Sequence, residues 1–246
     1  MAHGLEEIRK TMEASTSDSI KKHLQDYLDK AEAKEREAAE RLANMTESER
    51  QSLREEQAKQ ARELEAQKKW QEEQDWRNKL RRAGIPRRFY GANIEEIAPE
   101  IRGLCEGQEG LFLHGSAGTG KTHLAVALLK HRGLDRGSFT TVPGLLLEIR
   151  SSFKDHAECS EESIIDHYSA AKPLVMDDLG VEKASEFAMQ TLYLIIDHRY
   201  ANLNPPIITS NLSLGEIANK VGDRIASRIA EMCKIIELKG KDRRLG

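Results

Sequence analysis

The sequence predicts an α/β protein: a three-layer domain built on a parallel sheet, preceded by an α-helical, charge-rich region. Three observations lead there. Short apolar runs alternate with helical patterns from residue 111 onward, the signature of strands joined by crossover helices. One of those runs, Leu111-Phe112-Leu113-His114, passes through a glycine-rich turn into strong helix formers beginning near Lys121. Residues 47–82, by contrast, contain no Gly or Pro and are dense in Glu, Gln, Lys, Arg and Ala.

Composition bounds the function classes. Of the 246 residues, 39% are hydrophobic and 32% charged, yet the net charge is only −3, so any basic surface for a polyanion must be local. Cys105, Cys159 and Cys233 lie far apart with no C-x-x-C pair, which implies neither a disulfide framework nor a zinc ribbon and fits a reducing cytosol. The first residues lack a basic stretch followed by an apolar run, and nowhere are there 18 consecutive apolar residues. The expectation is a cytoplasmic protein without signal peptide or membrane span.

Taken in order, Leu5, Ile8 and Met12 have helical spacing, and Ser15-Thr16-Ser17-Asp18-Ser19 supplies a break and an N-cap. From Ile20 the apolar positions Ile20, Leu24, Tyr27, Ala31, Ala38, Leu42 and Met45 are near-heptad. Asn44-Met45-Thr46 then stops that helix, and Thr46 with Glu49 forms a capping box for the next. The second run, to Arg82, carries only a thin apolar stripe that includes Trp70 and Trp76. Two helices follow, as a hairpin or a long rod; such helices bury little alone and act as a spacer or as a docking arm for a partner. Ala83-Gly84-Ile85-Pro86 ends the rod and places a domain boundary between residues 1–83 and 84–246.

A helix near residues 95–107 precedes the strand at Leu111. The turn Gly115-Ser116-Ala117-Gly118-Thr119-Gly120-Lys121-Thr122, followed by His123, matches the phosphate-cradling P-loop pattern G-x-x-x-x-G-K-[ST]. Its glycines let successive backbone N–H groups point inward, the helix start adds its positive dipole end, Lys121 reaches the β- and γ-phosphates, and the Thr122 hydroxyl can ligate Mg²⁺. The expected ligand is therefore ATP or another nucleoside triphosphate with Mg²⁺. Ser138–Val142 is the second strand, Leu145–Lys154 a helix after Pro143-Gly144, and residues 161–171 another. Leu174–Met176 then forms a buried strand entering Asp177-Asp178. A long helix spans residues 185–200, a fourth strand ends in Thr209-Ser210-Asn211, and two helices, 214–221 and 223–232, lead to a last strand at 234–238.

Ligands of open parallel sheets sit beyond the C-terminal strand ends, which brings the P-loop, Asp177-Asp178 and Ser210-Asn211 into one crevice. Asp177 suits the Mg²⁺ shell, Asp178 is placed to orient or deprotonate an attacking water, and Asn211 to bond that water or the γ-phosphate. Arg224 and Arg228 share one helix face and can serve a nucleotide held by a neighbouring subunit, or act as salt-bridged surface charges. The basic tail Lys239–Arg244 can return one arginine to the γ-phosphate.

Together Gly115–Thr122, Leu174–Asp178, Thr209-Ser210-Asn211 and Gly222–Arg228 resemble the AAA+ ATPases, specifically the DnaC/DnaI/IstB-like branch and within it the replicative helicase loaders of bacteria or phage. Gly84-Ile85-Pro86-Arg87-Arg88-Phe89 resembles the stretch that opens that branch's ATPase domain, and Pro173–Gly180 its LLxxDDLG acidic strand end. Only 35 residues follow Asn211, too few for a separate helical lid, which this branch lacks. The resemblance implies sheet order 5-1-4-3-2, self-association into a ring or spiral, and ATP bound between neighbours. It makes Arg228 the arginine finger, Asn211 the first sensor, and Arg244 or Arg243 the second. Asp178 stands where many AAA+ proteins carry Glu, which implies slow, partner-stimulated hydrolysis. It further implies that the N-terminal helices bind the hexameric helicase and that the ATPase domain contacts single-stranded DNA. Arg150, Phe153 and Lys154 are the candidates for that contact, a basic and aromatic cluster that equally suits a core Phe with flanking surface charges. The alternatives are an IstB-like transposition helper and a structural adaptor that binds nucleotide without hydrolysis.

Overall fold

A computed structural model of the chain describes Lys10 and residues 18–104, 107–153, 159–181 and 185–240. The expected helical fragment around Leu5–Met12, Lys154 and the tail arginines Arg243 and Arg244 lie outside the described residues. Two compact units form, residues 1–71 and 72–246.

In the first unit, helix α1 (Asp18–Asn44) ends at the expected break and helix α2 (Glu47–Arg82) begins. Their junction holds the anticipated capping box: the Thr46 N–H and hydroxyl each donate to the Glu49 carboxylate at 2.8 Å, while the Glu49 N–H donates back to the Thr46 Oγ1 at 3.4 Å. The near-heptad reading passed over Leu28, which is buried in α1, with Leu24 and Ala31 half-buried beside it. Those three are spaced four and three apart, the alternation of one heptad. Tyr27, Leu64 and Trp70 are exposed.

The second unit starts with the last turns of α2. Leu80, Ala83 and Ile85 are buried among Leu111, Leu113, Leu124 and Leu128, and the Ala83 carbonyl accepts from the Phe139 N–H at 2.7 Å. The second compact unit thus begins inside α2, at Glu72, and α2 itself ends at Arg82, just before Ala83-Gly84-Ile85-Pro86.

Strands β1 (Gly110–His114), β2 (Ser138–Thr141), β3 (Leu174–Asp177), β4 (Ile207–Ser210) and β5 (Cys233–Glu237) form one all-parallel sheet in the order β2-β3-β4-β1-β5, which is the expected 5-1-4-3-2 read from the other edge. Side chains alternate across it. Leu111, Leu113, Val175 and Ile207 pack on one face against the P-loop helix α4 (Lys121–Arg132), which follows the short helix α3 (Pro99–Leu104). Phe112, Leu174, Met176 and Ile208 pack on the other against helices α5 (Val142–Ser151), α6 (Glu161–Ala170) and α7 (Glu186–Ala201). Helices α8 (Leu214–Val221) and α9 (Asp223–Met232) complete that layer. With both faces covered, the central strands β1, β3 and β4 are buried along most or all of their length, whereas the edge strand β5 exposes three of its five residues.

The fifth helix starts earlier than its sequence pattern implies. Pro143 sits in its first turn, where a missing N–H costs nothing, and Thr141 caps it by accepting from the Gly144 N–H at 3.1 Å.

Candidate functional site

The turn after β1 is built around its glycines. Gly115 has φ +142°, and a Cβ there would stand 2.3 Å from the Leu238 carbonyl oxygen, because the chain beyond β5 bonds back to the His114 carbonyl at 2.7 Å. Gly120, at φ +93°, is the left-handed residue on which α4 begins. Lys121 opens that helix and is buried, its ammonium donating to the Gly115 carbonyl at 2.9 Å and the Ser116 carbonyl at 2.8 Å. The Thr119 hydroxyl ties the same Ser116 carbonyl at 3.0 Å.

Asp177 ends β3 and is buried, whereas Asp178 takes the left-handed conformation at φ +60° and turns to the half-buried rim. One hydroxyl fixes both. Thr209 on β4 donates to the Asp177 carboxylate at 2.6 Å and accepts from the Asp178 N–H at 3.0 Å. Burial, reinforced by the neighbouring Asp178 charge, pushes the Asp177 carboxyl above its ordinary range, while bonds from Thr209 and Thr122 and the charge of Lys121 pull it back. Ser210 continues the arrangement, donating to the Leu179 carbonyl at 2.6 Å and accepting from the Leu212 N–H at 3.0 Å. The capping box of Ser213 and Glu216 then starts α8 immediately beyond Asn211.

These strand tips open into a cleft of about 680 Å³. Gly118, Gly120, Lys121, Thr122, His123, Asp178 and Asn211 line one part of it; Arg88, Phe89 and Ile97 line another. A buried cation held by neutral carbonyls, a hydroxyl beside a carboxylate and a polar strand tip form a donor set suited to a polyphosphate. The structure therefore brings the P-loop, Asp177, Asp178 and Asn211 into one place.

Arg224 and Arg228 lie apart from that cleft on α9. Arg224 is exposed. Arg228 is ion-paired to Asp197, bonded to the Tyr193 hydroxyl at 3.2 Å, and set over the Tyr193 and Tyr200 rings at 4.7 and 5.6 Å. Any action on a neighbouring subunit requires Arg228 to exchange the Asp197 carboxylate for another anion. On a different part of the unit, Arg150 stands 5.2 Å over the Phe187 ring, and the exposed Phe153 meets that ring edge-on at 6.0 Å.

Sequence reasoning missed Thr209 as a site residue, along with the Arg88, Phe89 and Ile97 wall. Thr209 had a signal: a hydroxyl residue in an apolar strand, placed beside Asp177 by the register Met176↔Ile208. The wall had none, since only the tertiary fold carries residues 88–97 to the cleft.

Sheet order, P-loop and acidic strand tips define an ATP-binding α/β fold of the AAA+ type. The profile of the IstB-like ATP binding protein family matches residues 11–246, and the chain belongs to that family. Among curated proteins it is similar to the replicative helicase loader DnaC of Escherichia coli (strain K12), 28% identical over 117 residues, covering 47% of this chain and 47% of that protein. The match thus spans about half the length of such relatives. The crystal structure of the DnaC helicase loader superposes with TM-score 0.54 at 28% identity, covering 63% of this chain and 100% of that one. That of DnaI gives 0.53 at 25%, covering 65% and 94%. Among the described residues no helix is long and apolar enough to cross a membrane.

Proposed function

We propose that this protein is an ATP-driven loader of a hexameric replicative helicase, with nucleotide binding and hydrolysis as its switch. The observation that carries the reading is the single cleft in which Lys121, Thr122, Asp178 and Asn211 converge above Asp177, in a chain related to helicase loaders. Backbone N–H groups of residues 115–120 surround the triphosphate, and Lys121 leaves its two carbonyls for the β- and γ-phosphates. Thr122 and Asp177 are hard oxygen donors that would hold Mg²⁺, whose contribution would be to neutralise charge developing on the phosphates. Asp178 orients the attacking water and receives its proton, and Asn211 steadies that water or the γ-phosphate. The Thr209 bridge keeps the two acids in their separate tasks.

Arg228 then acts across a subunit contact in a ring or spiral, Arg244 or Arg243 in its own subunit. Single-stranded DNA is contacted at the exposed Phe153 and Arg150 beside Phe187. The charged N-terminal helices dock the helicase. The family itself favours one other reading, an IstB-like helper that recruits a transposase on duplex DNA.

ATP turnover of wild type and Asp178→Asn, measured at equal protein concentration, tests the enzymatic role. The variant keeps its ATP affinity and loses about 100-fold in rate, the contribution of a positioned general base. Equal rates would leave a nucleotide-bound adaptor in place of an ATPase.

A further inference from the structure

The segment 76–90, Trp76-Arg77-Asn78-Lys79-Leu80-Arg81-Arg82-Ala83-Gly84-Ile85-Pro86-Arg87-Arg88-Phe89-Tyr90, holds six cations and no acid in 15 residues, within a chain of net charge −3. Some of this charge has a local explanation. Arg77 pairs with Glu73 at 2.7 Å, Lys79 with Asp135 at 3.1 Å, and cations in a last helical turn complement the helix dipole. Neither explanation reaches Arg87, which lies beyond the helix. Among the described residues Arg81, Arg82 and Arg87 have no carboxylate partner, and all three are exposed.

Two of them line a groove. Between the end of α2 and the turn that follows lies a space of about 780 Å³, walled by Trp76, Arg77, Arg81, Arg87 and Tyr90 over a floor of Leu80 and Ile85. Its one acid, Glu73, is already spent on Arg77. Trp76 is 41% exposed, and Lys130 stands 5.8 Å over its ring. Cationic walls, two aromatic rings and an apolar floor match a chain that offers phosphates along its edge and flat bases from its side. A duplex would present phosphates alone and leave the rings unused.

We infer that this groove is a binding site for single-stranded nucleic acid, with Arg81 and Arg87 on phosphates and Trp76 and Tyr90 beside the bases. The turn Arg87–Phe89 is common to this groove and the nucleotide cleft: Arg87 lines the former, Arg88 and Phe89 the latter. The inference is independent of the helicase reading and of the surface at Arg150 and Phe153.

The chain has two tryptophans, so Trp70→Phe, a change at an exposed position, makes Trp76 the sole indole reporter in the full-length protein. An oligothymidylate of about 20 nucleotides, longer than a single binding site, is titrated while Trp76 emission and the anisotropy of the labelled strand are both followed. The expected result is saturable quenching of Trp76. Adding Arg81→Glu and Arg87→Glu weakens binding at Trp76 at least about tenfold and lowers the salt slope by about 1.4, the loss of two phosphate contacts, with ATP affinity unchanged. Unaltered Trp76 emission while anisotropy reports binding would overturn the site and leave binding at Phe153 standing. An unchanged titration of the charge-reversed protein, or equal affinity for duplex of the same length, would also overturn it.

Discussion

Lys121→Ala lowers ATP affinity by about 30- to 1000-fold and removes turnover with it. Lys121 is buried at the head of α4, and its ammonium is held by two neutral carbonyls that compete weakly against a polyphosphate. Truncating one partner of a desolvated charge pair costs about 2–4 kcal/mol, which sets that range. The alanine also frees the Gly115 and Ser116 carbonyls, but these residues are half-buried and exposed, so water can replace the ammonium at little cost. Titration with a fluorescent ATP analogue measures the loss, and an unchanged thermal melt shows that the fold survives. Affinity within threefold of wild type would remove the P-loop from the account.

Arg199→Ala destabilises the second unit by about 3–5 kcal/mol, the sum of a large cavity and unmatched polar groups. Arg199 is the largest fully buried side chain of the described residues, and its Nη1 donates to the carbonyls of Tyr168, Ser169 and Ala171 at 2.8, 3.0 and 2.8 Å. Those carbonyls end α6 and have no partner within the helix. Asn204 also reaches Ser169 and Ala171, at 3.2 Å each, so Tyr168 is left worst off. Burial lowers the Arg199 pKa to about 10, still far above neutrality, so the group stays charged. Its removal loosens the lead into β3, which delivers Asp177 to the cleft. Denaturant unfolding followed by circular dichroism gives the value. A change under about 1 kcal/mol would mean that the helix end finds other donors.

The sheet and the chemistry at its edge were legible because they are local. Short apolar runs, Leu174–Met176 entering Asp177 and Ile207-Ile208 leading through Thr209-Ser210 to Asn211, announce buried strands and what they carry, and the glycine spacing of 115–120 announces the turn between β1 and α4. The order of strands was not contained in any one segment and came through family resemblance. Contacts made across the sequence were harder. Thr209 shows only as a hydroxyl residue in an apolar strand until β4 is laid beside β3 and its hydroxyl serves Asp177 and Asp178 together. Leu80 and Ala83 join a core assembled largely from residues 111–139, a contact that no local signal encodes. Of the two readings open for Arg228, a residue serving a neighbouring subunit or a salt-bridged surface charge, the structure shows the ion pair, with Asp197 and two tyrosine rings from α7 around it. Spacing on α9 paired it with Arg224 but could not reveal that partner.

The most direct test of the loader reading mixes the full-length protein, a bacterial hexameric replicative helicase and a closed single-stranded DNA circle, and counts helicase retained on the circle with and without ATP. The account predicts that the protein binds the helicase, that retention rises when ATP is present, and that Lys121→Ala removes the ATP dependence while still binding the helicase. Absence of helicase binding, together with ATP-dependent assembly on duplex DNA that recruits a transposase, would contradict it.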